Sequence, residues 1–432
     1  MKSKNLKRRE FLSRTFAAMA TVAIVPRHVL GGRNFTAPSD KIVLGFIGTG
    51  KQSRGLATRF LNLPDAQMVA ASDVYASKLE AFKEVVQQYH KESGKSGSSH
   101  GFESYVDYLE LLDRKDIDAV IIASPDHWHA VHAVHAANRK KHVYCEKPLS
   151  LTVEEGRMMV NAARKNNIVF QTGSMQRSNK GFRHACELVR NGYIGELKNV
   201  KVNVGDPAKP YDLPEETVPE GLDWDKWCGP SPVLPFNEQL APASWDGQWP
   251  AWRAYKETGG GILADWGAHM FDIAQWGLGT DDTGPVAYIP PKDKNANRGM
   301  IMRYASGLEM HHEDFGRGWA VEFNGSEGTL QVSRSFLDTR PENIAAVEIK
   351  SSDERLYFSD NHYADWFDCI RSGKKPICDV EIGHRSASIC NLANIGYWLN
   401  RPLEFDPSKE VFVKDKEANK LLGRKLRKPY NI

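Results

Sequence analysis

A lysine in a constrained backbone setting is the first candidate for chemistry in this 432-residue sequence. The apolar run from His142 to Cys145 predicts a short buried strand that leads directly into Glu146, Lys147 and Pro148. Ligands of open parallel sheets bind outside the carboxyl ends of the strands, which is where Lys147 falls. Because proline restricts the residue before it, we expect a stiff segment with a cis Lys147–Pro148 peptide bond. The alternative is an exposed turn.

An aspartate and a histidine four residues apart are the second candidate. Asp265 and His269 follow the glycines 259–261 in a segment with helical spacing, so they lie on one face of the predicted helix. A carboxylate can take the proton on one imidazole nitrogen and leave the other nitrogen free as a base. Taken alone, this spacing is more typical of a surface pair.

One N-terminal segment has the order strand, glycine turn, helix. The strand-like run 41–47 is followed at once by Gly48, Gly50 and Ser53, and this order is the context that a dinucleotide fingerprint requires. The glycines allow a tight turn and let the pyrophosphate approach the helix N-terminus. Ser53 stands where the third glycine is expected, but serine is small enough to preserve close helix–strand packing.

Polar residues follow three further predicted strands. Asp73 ends the second strand, where an acid can accept hydrogen bonds from both adenosine-ribose hydroxyls and repel a 2′-phosphate. The sequence therefore favours NAD over NADP, although Asp73 could instead cap the next helix. Ser124, Pro125 and His129 follow the strand-like run before them, and Gln176 follows another.

Together these motifs resemble the glucose–fructose oxidoreductase, inositol dehydrogenase and MocA (Gfo/Idh/MocA) family. The resemblance rests on the glycine turn, Ser-Pro-Asp-His-Trp-His from position 124, Cys-Glu-Lys-Pro-Leu from position 145, and Gly-Gly-Gly-Ile-Leu-Ala-Asp-Trp-Gly-Ala-His from position 259. It covers the chain from position 40 onwards. It implies that His269 is the catalytic base, Asp265 its orienting partner and Lys147 the third catalytic residue.

The resemblance and the strand ends together supply a set of candidate NAD-binding residues. Their shared feature is a place in the glycine turn or at the carboxyl edge of the predicted parallel sheet. They are Gly48, Gly50, Ser53, Arg54, Asp73, Ser124, Pro125, His129, Glu146 and Gln176.

The predicted fold is α/β with two domains. A Rossmann dinucleotide-binding domain is expected at 38–172, and a substrate-binding α+β domain at 173–432 with a large open, mostly antiparallel sheet and a C-terminal helix and tail that pack back. Residues 205–257 are irregular and rich in proline and tryptophan, and we expect them to cover the substrate. The basic segment 414–428 is expected to be a solvated surface segment.

Composition narrows the classes of partner. The net charge is only +3, which gives no support for a nucleic-acid partner, and no segment is apolar enough for stable membrane insertion. The six cysteines have no zinc spacing, and Cys369 and Cys378 are the one pair to check for a disulfide. The run from Met310 to Asp314 fits no common metal site, so no metal is predicted. We expect a small-molecule sugar or glycoside as partner and a homo-oligomer as assembly.

Residues 1–37 are predicted to be an export signal and linker. A basic start is followed by an apolar run that is too short to span a bilayer. The order Arg-Arg-Glu-Phe-Leu from position 8 resembles the twin-arginine export motif. This pattern predicts a periplasmic protein exported by the twin-arginine route; the alternative is a basic N-terminus with a chance arginine pair.

The predicted activity is oxidation of a secondary hydroxyl of a sugar or glycoside by tightly bound NAD. The alternative is an NAD-dependent glycosidase that works by transient oxidation, elimination, water addition and re-reduction. Family members of that kind lack the lysine of Glu-Lys-Pro, so Lys147 favours net redox chemistry. A non-catalytic sugar-binding protein is a third hypothesis, which the joint presence of Lys147, Asp265 and His269 disfavours.

Overall fold

The computed structural model describes residues 40–93, 102–244, 247 and 249–432. Every element below belongs to residues 42–432, the larger of the two units into which the chain divides. The predicted export signal and linker at 1–37 lie outside the described residues.

A six-stranded parallel sheet forms the N-terminal half of the larger unit. Its strands lie in the order β3-β2-β1-β4-β5-β6. They are β1 (Ile42–Ile47), β2 (Ala66–Ser72), β3 (Glu103–Tyr105), β4 (Ala119–Ile122), β5 (His142–Cys145) and β6 (Phe170–Thr172). The central strand β4 is apolar and fully buried because helices cover both sheet faces. The strand order reverses between β1 and β4, the point at which such sheets bind ligands.

Five helices connect these strands. They are α1 (Lys51–Leu61), α2 (Ala76–Ser93), α3 (Tyr108–Asp113), α4 (Asp126–Asn138) and α5 (Val153–Asn166). α1 begins directly after the glycine turn and buries Leu56 and Phe60. α5 begins at a capping box, in which the Thr152 hydroxyl accepts a hydrogen bond from the Glu155 amide. Local sequence signals therefore place both helices.

The C-terminal half contains a nine-stranded open sheet in the order β13-β12-β11-β7-β10-β9-β8-β14-β15. The β7–β10 pair is parallel and the other pairs are antiparallel, which confirms the predicted sheet type. The strands are β7 (Leu197–Asn203), β8 (Ala287–Ile289), β9 (Met300–Arg303), β10 (Glu309–His312), β11 (Ala320–Gly325), β12 (Thr329–Val332), β13 (Leu337–Arg340), β14 (Leu403–Asp406) and β15 (Val411–Phe412).

Six helices accompany this sheet. They are α6 (Lys180–Arg190), α7 (Trp224–Cys228), α8 (Gly261–Leu278), α9 (His362–Ser372), α10 (Val380–Leu399) and α11 (Lys416–Asn419). Helices α6, α8 and α10 share one apolar core with the sheet, in which Phe271, Phe323 and Leu392 are buried. α10 also packs on α5 of the parallel-sheet half. The two halves are thereby joined through these two helices.

The expectation of a solvated segment at 414–428 holds only in part. Its five lysines are exposed, whereas other residues of the segment pack against the protein. Leu422 is buried, and the Arg424 guanidinium donates to the Glu155 carboxylate at 2.7 Å and to the His127 carbonyl at 2.6 Å. A charge run in the sequence cannot show an acid partner that lies in a distant helix.

The six cysteines are all described, and all are free and buried. Cys369 and Cys378 therefore form no disulfide. Burial raises the pKa of both thiols, which keeps them in the unreactive protonated form.

Candidate active site

Lys147 lies where β5 ends and faces helix α8 across the cleft. The Lys147–Pro148 peptide bond is cis, as expected. The ammonium donates to the Asp265 carboxylate at 2.7 Å and to the Asp265 carbonyl oxygen at 3.0 Å. These two side chains are 15% and 9% exposed, so the pair is largely shielded from water.

Asp265 has a second cationic partner, Arg253, whose guanidinium forms an ion pair with the other carboxylate oxygen. Burial by itself raises the pKa of Asp265, but Lys147 and Arg253 outweigh burial and hold the pKa below its ordinary value. Asp265 is therefore a fixed anion that positions two cations. Arg253 was not among the predicted site residues, although it lies in the tryptophan-rich segment.

His269 lies one turn further along α8, but it lacks the hydrogen bond to Asp265 that was predicted for it. Its Nδ1 is buried and has no hydrogen-bond partner among the described residues. The prediction that Asp265 orients this ring is therefore wrong in this structure. The reason is competition, because hydrogen bonds from two charged donors hold a carboxylate more strongly than the N–H of a neutral imidazole.

The environment keeps His269 uncharged. Burial lowers its pKa well below the ordinary value of 6.5, the cations Lys147 and Arg334 lower it further, and Asp265 opposes them. A buried neutral imidazole beside an ammonium group can accept a proton from a hydroxyl that binds between them.

Two further buried acids interact electrostatically with Lys147 and Asp265. Burial raises the pKa of Asp126 well above its ordinary value, and the nearby charge of Asp265 adds to the shift. Burial also raises the pKa of Glu146, while Lys147 opposes the shift. Asp126 was not predicted as a site residue, yet its position directly after Ser124 and Pro125 at the same sheet edge was the available signal.

A cavity of about 370 Å³ opens at the carboxyl edge of the parallel sheet. Half of the predicted cofactor residues line it: Gly48, Gly50, Asp73, Ser124 and Pro125. These residues follow β1, β2 and β4, so the cavity lies at the strand-order reversal where dinucleotides bind.

The glycine turn has the geometry that a dinucleotide needs. Gly48 adopts a φ of +87°, and an added Cβ would lie 2.6 Å from the Ser124 amide nitrogen, so only glycine fits. An added Cβ at Gly50 would meet nothing within 4 Å, which leaves the backbone open to the cavity. The first amides of α1 follow at Lys51, and their positive dipole end favours a bound pyrophosphate.

Asp73 is held by backbone and side-chain hydrogen bonds at the rim of the cavity. One carboxylate oxygen accepts from the amide of Thr49 at 2.7 Å and from its hydroxyl at 2.9 Å. The other accepts from the Tyr75 amide at 2.9 Å. A carboxylate has about four acceptor positions, so one remains for a ribose hydroxyl. The turn and this acid together fit NAD.

The other five predicted cofactor residues do not line this cavity. Ser53 is buried in α1 and donates to the Gly48 carbonyl, which closes the turn. The His129 ring lies between the carbonyl oxygens of Ser124 and Pro148, both at 2.9 Å, and thus joins two of the site's loops. Of the remaining three, Arg54 is exposed on α1 and Glu146 is a buried acid directly before Lys147. Gln176 accepts a hydrogen bond from Arg334.

The tryptophan-rich segment covers the cofactor cavity, whereas we expected it to cover the substrate. Trp227, Trp249 and Trp252 all line the cavity. The Trp249 ring contacts two cations, with Lys51 Nζ at 5.2 Å and the Arg253 guanidinium carbon at 5.1 Å from its centroid. Since Arg253 also binds Asp265, one side chain connects the cover of the cofactor cavity to the catalytic cleft.

Different aromatic residues line the cleft around His269. The His269 and Trp266 rings pack edge to face, with ring centroids 5.8 Å apart. Trp266 stacks on Trp319 at 4.6 Å, and the Arg334 guanidinium carbon lies 4.6 Å from the Trp266 centroid. Trp319 and Arg334 were not predicted as site residues, because each lies in a turn of the second sheet with no motif around it.

Two further findings concern the part of the chain that the structure describes. No group of three or more His, Cys, Asp or Glu side chains in this part of the chain is arranged to hold a metal ion. None of its helices is long and apolar enough to cross a membrane.

Comparison with known proteins agrees with this architecture. Residues 42–174 match a family profile described as an oxidoreductase family with an NAD-binding Rossmann fold, and residues 207–432 match the C-terminal alpha/beta domain of an oxidoreductase family. Myo-inositol 2-dehydrogenase of Thermotoga maritima is 32% identical, covering 84% of this chain and 96% of that protein.

Two further relatives match over shorter stretches. A glycosyl hydrolase family 109 protein of Stenotrophomonas maltophilia is 29% identical over 51% of this chain and 50% of that protein. The uncharacterized oxidoreductase YrbE of Bacillus subtilis is 28% identical over 57% of this chain and 56% of that protein. The chain thus spans about half the length of these two relatives.

Solved structures share the fold at low identity. The WlbA dehydrogenase from Bordetella pertussis, in complex with NADH and UDP-GlcNAcA, has a TM-score of 0.58 at 18% identity and covers 85% of this chain and 98% of that one. The aldose–aldose oxidoreductase from Caulobacter crescentus, complexed with glycerol, has a TM-score of 0.57 at 18% identity, covering 84% and 100%.

Proposed function

Because the chain belongs to the Gfo/Idh/MocA oxidoreductase family and is an NAD-dependent oxidoreductase of CH–OH groups, we propose that it oxidises a secondary hydroxyl of a sugar or glycoside. The observation that carries this proposal is the ammonium of Lys147, 2.7 Å from Asp265 and next to the buried neutral His269. The chemistry supplied by NAD, when it is bound at the adjacent cavity, is the acceptance of a hydride.

In this proposal His269 removes the hydroxyl proton. The low pKa of its imidazole keeps the ring in the accepting form, and Lys147 places a positive charge where the alkoxide develops. Lys147 also lowers the pKa of a hydroxyl bound beside it, which favours the transfer. Because the cleft is largely closed to water, this electrostatic stabilisation is stronger than it would be in solvent.

Asp265 and Arg253 act as positioning residues. Asp265 fixes the Lys147 ammonium by accepting two hydrogen bonds from it, one at the side-chain carboxylate and one at the main-chain carbonyl oxygen. Arg253 pairs with the second oxygen of the Asp265 carboxylate, so that this buried anion has two cationic partners instead of one.

Spectroscopy with candidate sugars tests the proposal. Purified protein is mixed with a panel of sugars and glycosides, and the absorbance of reduced nicotinamide is followed together with the formation of a keto sugar. We expect reduction of the nicotinamide by at least one member, and its loss in a His269→Ala variant. A protein that oxidises no member of a broad panel would contradict the proposed activity.

An NAD-dependent glycosidase is the second candidate, supported by the similarity to the glycosyl hydrolase family 109 protein. Such an enzyme returns NAD to its starting state within each turnover. Incubation with an aryl glycoside distinguishes the glycosidase from an enzyme of net sugar oxidation, because the glycosidase releases the aglycone without net reduction of nicotinamide. Aglycone release at a steady rate with unchanged nicotinamide absorbance would favour this candidate over net oxidation.

We also propose that the protein is exported to the periplasm with NAD already bound. The arginine pair at positions 8 and 9 supports the route, and the cover of the cavity by Trp249 and Trp252 supports retention of the cofactor. Because an exported enzyme cannot exchange NAD with a cytoplasmic pool, it must regenerate the cofactor with a second substrate or within one turnover.

Chemical quantification tests this retention. The purified protein is denatured, and the released NAD(H) is measured by chromatography against the protein concentration. We expect near-stoichiometric cofactor and activity without added NAD. An empty protein that works only with added NAD, and that releases free NADH in each turnover, would overturn the proposal.

A further inference from the structure

The Arg334 guanidinium lies in the catalytic cleft without an acidic partner. Its Nε donates to the Gln176 side-chain oxygen at 2.9 Å, and its plane lies near the Trp266 ring. Within the described residues, no carboxylate oxygen lies within 4.0 Å of its nitrogen atoms. Two donor nitrogens of an exposed arginine therefore remain available to a ligand.

Other arginines around the site contrast with Arg334. Arg253 is paired with Asp265, and the fully buried Arg177 is paired with both Asp272 and Asp281. Arg334 differs from these two paired arginines because it has no acid beside it among the described residues.

A second cation without a carboxylate partner lies close to Arg334. Arg59, at the C-terminal end of α1, donates to the Tyr363 hydroxyl at 3.0 Å and forms no ion pair with a described residue. Burial lowers the pKa of Arg334 from its ordinary value, and Arg59 lowers it further. Glu146 and Asp265 oppose this shift, but Asp265 is already bound to Lys147 and Arg253.

The position of Arg334 relative to His269 suits recognition of a substrate. Trp266 contacts both the guanidinium and the His269 ring, and the stacked Trp319 is 41% exposed. Aromatic faces of this kind pack against sugar rings, and a planar guanidinium binds a carboxylate or phosphate through two parallel hydrogen bonds.

We infer that the substrate is an anionic sugar whose carboxylate or phosphate group pairs with Arg334 while its ring lies against Trp266 and Trp319 beside His269. This inference rests on the proposed sugar oxidation and specifies the class of sugar. Arg334 is the specificity-determining residue, and Arg59 supplies additional positive charge from the opposite domain.

Matched sugar probes test the inference. The purified full chain is titrated by calorimetry with methyl glucoside and methyl galactoside, with the corresponding uronates, and with the corresponding 6-phosphates. We expect one anionic series to bind at least about tenfold more tightly than the neutral series, since a hydrogen-bonded ion pair contributes more than neutral hydrogen bonds. The uronate and phosphate series identify which anion is recognised.

Variants assign the preference to Arg334. Arg334→Gln should weaken the preferred anionic probe by about 10- to 100-fold and change the neutral probes by less than about threefold. Arg334→Lys should recover part of the anion affinity, because it keeps the charge but loses the planar fork. Arg303→Gln is the matched control, since Arg303 lies in the same sheet and is paired with Glu309, and it should retain the anion preference.

The outcomes separate this inference from the proposed function. Equal binding of neutral and anionic probes, or an equal loss of both in Arg334→Gln, would overturn the anionic class even if sugars still reduce the nicotinamide. Loss of bound NAD(H) from Arg334→Gln with unchanged sugar affinity would assign the residue to the cofactor instead, and would also overturn it. Anion binding through Arg334 without any sugar oxidation would leave the ligand class standing and reject the proposed reaction.

Discussion

The cofactor cavity and the catalytic cleft lie at the ends of neighbouring strands of one sheet, yet they satisfy their polar groups differently. In the cavity, Asp73 accepts three hydrogen bonds from the protein, and Ser53 closes the glycine turn. In the cleft, the His269 Nδ1 has no partner among the described residues, and Arg334 has no acid. Asp73 in the cavity keeps a single acceptor position for the cofactor, whereas the cleft has a whole imidazole nitrogen and a guanidinium group that a substrate can satisfy.

This difference indicates that the two regions have separate functions, cofactor binding in the cavity and catalysis in the cleft. Local backbone geometry builds a rigid nucleotide site, and ion pairs between distant residues build the reactive site. Arg253 belongs to both, since it contacts Trp249 over the cavity and binds Asp265 in the cleft. Variants in one region should therefore change cofactor binding, and variants in the other should change turnover.

The largest expected effect is in the cleft. Lys147→Met should lower kcat by about 10²- to 10³-fold, because the variant removes the charge that stabilises the developing alkoxide. Bound NAD(H), measured after denaturation, should stay close to that of the parent, since Lys147 does not line the cofactor cavity. Lys83→Met, which removes a surface cation paired with Glu80, is the control. Loss of bound cofactor without loss of kcat in Lys147→Met would contradict the assignment of the cleft to catalysis and of the cavity to cofactor binding.

The corresponding change in the cavity should give the opposite result. Asp73→Asn should weaken NAD by about 10- to 100-fold and relax the preference over NADP, because a charged acceptor for the ribose is lost. At saturating NAD, kcat should stay near that of the parent. Binding is measured by titration of the cofactor-free protein, with Asp113→Asn, a surface acid paired with Arg139, as control. Unchanged NAD affinity would show that Asp73 only organises the Thr49 turn.

A smaller effect is expected at the cover of the cavity. Trp249→Ala should speed release of bound NAD(H) by about 3- to 10-fold, since it removes an aromatic contact and two cation–π interactions. The release rate can be followed by the change in nicotinamide fluorescence after dilution. Trp398→Ala is a suitable control, because Trp398 is 40% exposed and does not line this cavity. Equal release rates in both variants would mean that Trp249 does not retain the cofactor.

The smallest effect concerns the pH dependence of the cleft. The pKa of His269 lies below its ordinary value of 6.5, so its basic form persists as the pH falls. The acidic limb of the kcat/KM profile should therefore lie below pH 6.5. Asp265 remains ionised in this range because its pKa is held below 3.8, so Lys147 keeps its partner. A limb above pH 6.5 would show that the charge around His269 differs from that in this structure.

The sequence alone determined the fold and the general chemistry. The strand–turn–helix order, the acid at the end of β2 and the Glu-Lys-Pro segment are local patterns, and each depends on residues adjacent in the chain. The Rossmann domain, the mostly antiparallel second sheet, the NAD cofactor and the family were predicted from them and are confirmed. The nearness of Lys147 to Asp265 followed from the family resemblance, which implies that both belong to one catalytic site.

Only the tertiary structure decided how the charged groups are paired. The sequence predicted a hydrogen bond between Asp265 and His269 because the two share a helix face. In the folded chain, Lys147 and Arg253 bind the Asp265 carboxylate instead. The tryptophan-rich segment was assigned to the substrate, yet it lies over the cofactor cavity. The strength of an ion pair depends on the distance between the two charges and on their desolvation. Neither quantity can be obtained from the spacing of residues along a chain.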